Sequence, residues 1–98
     1  MAQLDQKLAS TNIRDAKTLA VMQRAEQGIV DALYDLGLMY SVGKGVEQDF
    51  IEAHKWFNLA AIRGISEAQI DRAEVAESMS RLEIREAQRM AREWLESH

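Results

Sequence analysis

The chain contains no cysteine and no proline. Without cysteine there is no disulfide framework, no thiolate metal site and no cysteine nucleophile. Without proline, nothing imposes a sharp break inside a helix. Aromatic residues make up only 6% of the chain, and β-branched residues are few beside Ala, Leu, Glu, Gln and Arg, so the intrinsic preference is helical. No run approaches the roughly 20 apolar residues of a membrane span. Positive charge is in short supply too. The formal net charge of −4 opposes non-specific attraction to nucleic acid or an anionic membrane. The first residues, MAQLDQKLASTNIRD, are polar where an export signal would be basic and then apolar, so the expected location is cytoplasmic.

What is present suits one small domain. With 98 residues, 47% of them apolar and 29% charged, the chain supports a modest core but no large pocket beside it. Residues 1–11 carry weak periodicity and read as a flexible N-terminus, leaving 12–98 as a single helical domain. Five helices are predicted there. Thr11 or Asn12 caps the first, with Ile13, Ala16, Leu19 and Ala20 at helical spacing as far as about Gln27. The second carries Ile29, Ala32, Leu33, Leu36, Gly37 and Tyr40 on one face. After the loop SVGKGVEQD, Asp49 opens a third helix with Ala53, Trp56, Phe57, Ala60 and Ala61 inward, and Gly64 ends it. Ser66 with Gln69 reads as a capping box for a fourth helix near 67–78. Ser80 with Glu83 repeats that signature for a last helix, 80–97, whose apolar face is Ile84, Ala87, Ala91, Trp94 and Leu95.

The chain also repeats itself. Ala25 pairs with Ala61, Gly28 with Gly64, Ile29 with Ile65 and Ala32 with Ala68, each pair 36 residues apart. The shared pattern, A-x-x-G-I-x-x-A, is a helix end, a glycine turn and a new helix start. Helices two and three therefore make one complete unit, about 29–64. Degenerate half-units flank it, in which Gly37 becomes Ala73 and Tyr40 becomes Ala76, as terminal units facing water commonly do. The predicted fold is all-α, an antiparallel helix-turn-helix stack forming a short α-solenoid. Gly37 leaves room where two helices press together, and Gly43 and Gly45 let the chain leave a helix through conformations costly for other residues.

From Ala32 to Gly64, ALYDLGLMYSVGKGVEQDFIEAHKWFNLAAIRG closely resembles a bacterial-type Sel-one-like repeat, a relative of the tetratricopeptide repeat with a longer inter-helix loop. The shared motifs are A-x-x-x-L-G-x-x-Y, G-x-G-V, Q-D, A-x-x-W-F and A-A-x-x-G. Glu47 departs from the family, which often has proline there, and EAQRMAREW looks like the closing helix after a last repeat. The resemblance implies a protein-interaction scaffold rather than an enzyme.

The residues offer little chemistry against that reading. GKG lacks the spacing and the strand of a phosphate-binding loop. His54 and His98 are the only histidines, and neither belongs to a nucleophile, general-base or metal-ligand constellation. No catalytic, cofactor-binding or metal residues are expected. Tyr40, Trp56 and Phe57 fall at packing positions. Trp94 falls on the apolar face of the last helix, which favours packing over contact with a second subunit. Arg81, Arg85, Arg89 and Arg92 lie within about 80° of one another. They read as a solvated face paired with Glu77, Glu86, Glu93 and Glu96, the alternative being a site for an acidic partner.

The candidate binding surface comes from helix geometry. If Ala32, Leu36, Gly37 and Tyr40 point inward, then Asp31, Tyr34, Asp35 and Leu38 face the other side of their helix, the side that lines the groove in tetratricopeptide-like stacks. The repeat offset adds Glu67, Ile70, Asp71 and Glu74. The expected groove has an apolar centre (Tyr34, Leu38, Ile70) within acidic residues. It suits a peptide with basic residues around one or two apolar anchors, bound at micromolar order. The same positions also fit plain solvated helix. A second function stays open: homo-oligomer formation through exposed repeat ends, with Val21, Met22, Met90 and Leu95 as contacts.

Overall fold

A computed structural model describes residues 15–98, all of whose regular elements are helices: α1 (Ala16–Glu26), α2 (Val30–Val42), α3 (Phe50–Ile62), α4 (Ser66–Ala76) and α5 (Arg81–Ser97). The expected flexible terminus at 1–11 and the Thr11 or Asn12 cap lie outside the described residues. Within them α1 is capped by Asp15, whose carboxylate accepts the Thr18 N–H at 2.7 Å. That bond holds the Asp15 carboxyl below its ordinary pKa.

The internal repeat is visible in the backbone. Gly28 N–H donates to Ala25 O and Gly64 N–H to Ala61 O; Ile29 N–H donates to Arg24 O and Ile65 N–H to Ala60 O. Each bond recurs 36 residues later. Gly28 and Gly64 both have positive φ, Ile29 and Ile65 both sit at N-cap positions, and Ala32 and Ala68 are both fully buried. This corrects the fourth helix. Its N-cap is Ile65 without a side-chain bond, so Ser66 is already helical and forms no capping box with Gln69. The glycine turn determines where α4 begins, and the Ser66 hydroxyl turns to Glu67 instead. The Ser80–Glu83 box does form and opens α5.

Helix α3 is the centre of the stack, with α2, α4 and α5 all packed on it, while α1 packs on α2. The core is built from Leu33 and Leu36 of α2, Ala53, Trp56, Phe57, Leu59 and Ala60 of α3, and Trp94 of α5. A Cβ on Gly37 would lie 2.5 Å from the Phe57 ring, so glycine is what lets α2 and α3 touch. Gly45 has φ +79, and a Cβ there would collide with the Thr18 hydroxyl of α1. The loop thus turns the chain and seats α1 at once. Val46, from the same loop, is fully buried. Several sequence expectations shift: Ala16, Ala20, Ile29 and Leu95 are exposed and Ala61 is only half-buried, whereas Thr18, Leu59 and His54, not foreseen, are buried. Thirteen-residue α3 is surrounded on three sides, so more of its circumference is enclosed than one apolar stripe covers.

Candidate functional site

The eight predicted groove residues fall on two neighbouring helices. Asp31, Tyr34, Asp35 and Leu38 are on α2; Glu67, Ile70, Asp71 and Glu74 are on α4. The Tyr34 hydroxyl donates to Asp71 Oδ2 at 2.5 Å, tying α2 to α4. With its phenol pushed up to about 12, chiefly by that bond, Tyr34 stays a neutral donor across the physiological range. Its ring meets Phe57 at 5.8 Å between centroids and covers the aromatic floor. The two partners of this strut are half-buried and the other six residues are exposed. Ile70 is 63% and Leu38 38% accessible, high values for large apolar side chains.

Around these apolar residues, Asp31, Asp35, Glu67, Asp71 and Glu74 form no ion pair with any described residue. A cavity of about 290 Å³ opens between α2 and α4, lined by Leu38, Phe57, Asp71, Glu74 and Val75. Leu38 also borders a second, largely apolar hollow of about 360 Å³, with Val21, Met39 and Val42 beside Lys17 and Lys44. Leu38 thus borders two hollows, which the repeat offset gave no means of seeing. On the opposite side of α2 lies a cavity of about 810 Å³ between α1 and α3, walled by Met22, Tyr40 and Trp56 with Glu26 and Glu52 at its edge. Burial and the nearby carboxylates push the Tyr40 phenol up to about 12. Val21 and Met22, expected as exposed contacts, are half-buried against the chain's own core.

The arginine face of α5 differs from its expected pairing. Only Arg89 is neutralised, by Glu86 and Glu93 at 2.6 and 2.5 Å. Arg81, Arg85 and Arg92 form no ion pair with the described residues, and Glu77 and Glu96 take none of them. Glu86 and Glu93 stand three before and four after Arg89, the spacing at which side chains meet, while Arg92 and Glu96 have that spacing without pairing. Trp94, by contrast, is buried, packs edge-on to Trp56 and donates from Nε1 to Glu26 at 2.9 Å.

Among the described residues no three His, Asp or Glu side chains are grouped to hold a metal ion, and no helix is long and apolar enough to cross a membrane. His54 is buried in α3, 4% accessible, and its Nδ1 has no hydrogen-bond partner. Burial, with the Arg72 guanidinium nearby, lowers its pKa below the ordinary 6.5. The unfolded chain therefore binds a proton at His54 before the folded one does. Stability should be full above about pH 6.5 and decline as pH falls from there through the folded-state pKa. Urea unfolding between about pH 7 and pH 5 should show this decline, and His54→Leu should flatten it. An unchanged slope would assign the decline to other groups.

No curated protein and no solved structure gives a match to the chain. The family model of the Sel1 repeat matches residues 30–65, which are α2, the glycine loop, α3 and the turn into α4. Motif, helix pairing and family match agree over one stretch: residues 30–65 are similar to a Sel1 repeat.

Proposed function

We propose that this chain is a non-enzymatic adaptor or regulator that takes a basic, apolar-anchored segment of another protein into the groove between α2 and α4. Sel1 repeats serve generally as protein-interaction modules, which supplies the class of activity. The observation that carries the finer reading is the groove's chemistry. Exposed Leu38 of α2 and Ile70 of α4 accompany the Tyr34–Asp71 bond, among carboxylates that form no ion pair with the described residues. An apolar anchor from a partner would displace water from Leu38 and Ile70, while basic neighbours would meet Asp31, Asp35, Glu67 and Glu74. The strut holds the two helices in register, so the surface is presented preorganised. Asp71, already engaged by Tyr34, positions the groove as well as charging it.

The test compares native capture by wild type with capture by Leu38→Asp/Ile70→Asp, identified by mass spectrometry. Both positions are exposed, so the variant should keep its helical content and melt. A basic partner recovered by wild type and depleted about tenfold or more by the variant is the expected result. Equal recovery from both proteins would remove the groove from the binding site.

A further inference from the structure

We propose that the basic face of α5 in one copy of this chain docks into the α2/α4 groove of a second copy, head to tail. The proposal rests on the groove reading above and names an occupant for it. Two surfaces of the same molecule carry opposite, uncompensated chemistry. The groove has five carboxylates outside any ion pair with the described residues, around Leu38 and Ile70. Helix α5 has Arg81, Arg85 and Arg92 equally unpaired, together with Leu82, the most exposed large apolar side chain among the described residues at 75%.

At 100° per residue, Arg81, Arg85 and Arg92 lie within about 40° of one another and about 60–100° from Leu82, with Glu96 the one unpaired carboxylate between them, so the apolar anchor borders a face of net positive charge. That face is free for another molecule, because α5 is held in its own fold by the opposite side, through Ala87, Ala91 and Trp94. The dimensions agree as well. A helix of 17 residues spans about 25 Å, against about 20 and 16 Å for the two groove helices. Leu82 would insert between Leu38 and Ile70. The guanidinium groups would reach Asp35, Glu67 and Glu74 with the paired N–H geometry that suits carboxylates.

Each copy offers one groove and one basic face, so the contact is heterologous and extends from copy to copy, as a chain or, where the rotation closes, a ring. Wild type should form dimers and then longer chains as concentration rises. The small apolar contact keeps each junction weak.

Sedimentation equilibrium on three proteins tests this: wild type, the groove variant Leu38→Asp/Ile70→Asp, and the helix variant Leu82→Asp/Arg85→Glu. Circular dichroism establishes that each variant is folded. Wild type should gain mass with concentration, and each variant alone should associate at least about tenfold more weakly. Mixed in equal amounts, the variants should recover association at wild-type strength and stop at the dimer. Only one productive pairing survives in that mixture: the helix variant's groove with the groove variant's α5. A wild type that remains monomeric, a mixture that remains monomeric, or a helix variant that associates like wild type would each overturn the proposal. A monomeric wild type whose captured partner is still lost by the groove variant would overturn the self-docking alone. A groove variant that both associates and captures like wild type would remove the groove reading too.

Discussion

Gly37→Val should lower the melting temperature by roughly 12–24 °C, corresponding to about 3 kcal/mol in a domain of this size. Even a bare Cβ at this position would approach the Phe57 ring to 2.5 Å, and valine adds two methyl groups beyond it. The ring cannot withdraw, because Phe57 is 1% exposed and meets Tyr34 at 5.8 Å on its other flank. Helices α2 and α3 would have to separate, opening water paths to Leu33, Leu36 and Ala53. Valine regains a few tenths of a kcal/mol of intrinsic helix propensity over glycine, too little to offset the collision. Thermal and urea unfolding followed by circular dichroism measure the effect. A variant that melts within a few degrees of wild type would show that the helix pair has slack at this contact, contrary to the packing described.

Removal of the Trp94 indole should be as costly and should act on a different part of the molecule. Trp94→Ala is expected to cost about 3–5 kcal/mol, the range for emptying a large aromatic site. Trp94 is 6% exposed, stands edge-on to Trp56 of α3 and bonds through Nε1 to Glu26 of α1, 68 positions earlier. It fastens α5 to both neighbours at once. Amide exchange should therefore quicken throughout α5, while the α2–α3 pair is affected less. Trp94→Phe separates the two contributions. It keeps most of the ring and loses only the indole hydrogen bond, at a cost of about 1 kcal/mol. If α5 amides in Trp94→Ala stayed as protected as in wild type, another contact would be holding that helix.

These two sites differ in how far the sequence alone exposes them. Gly37 lies inside a repeat motif, and its neighbours Leu33, Leu36 and Tyr40 follow helical spacing, so its role at a close helix contact was legible before any coordinates. Trp94 was placed on the correct apolar face, but its bond to Glu26 joins opposite ends of the chain, and no local pattern announces such a pairing. The fourth helix shows the reverse failure. Ser66 and Gln69 have capping-box spacing, yet the turn at Gly64 starts the helix one residue earlier and leaves Ser66 inside it. A tertiary turn outweighed a local signature.

For the groove, the 36-residue offset selected eight residues that do fall on adjacent helices, since a repeat places equivalent positions on equivalent faces. It could not reveal that Tyr34 and Asp71 are bonded, because that requires α2 and α4 to be brought side by side on α3. Nor could it show that Leu38 also borders the hollow toward α1. The arginines of α5 make the same point in charge: ion pairing was expected along the helix, but only Arg89 forms it, and Arg92 does not pair with Glu96 four residues on.

Composition, helical period and the internal repeat were enough to determine an all-α stack, its helix order, its glycine turns and most of the inward residues of α2, but not the inward face of α1, which buries Thr18 and Ala25. Those properties depend on residues within a turn or two of each other, or on a copied pattern. Packing on α3 decided the rest: that His54 is buried without a partner, that Trp94 locks α5 to α1, and that Leu38 and Ile70 stay exposed among unpaired carboxylates. Burial and pairing depend on which distant side chains arrive at the same place, and only the folded arrangement of five helices brings them there.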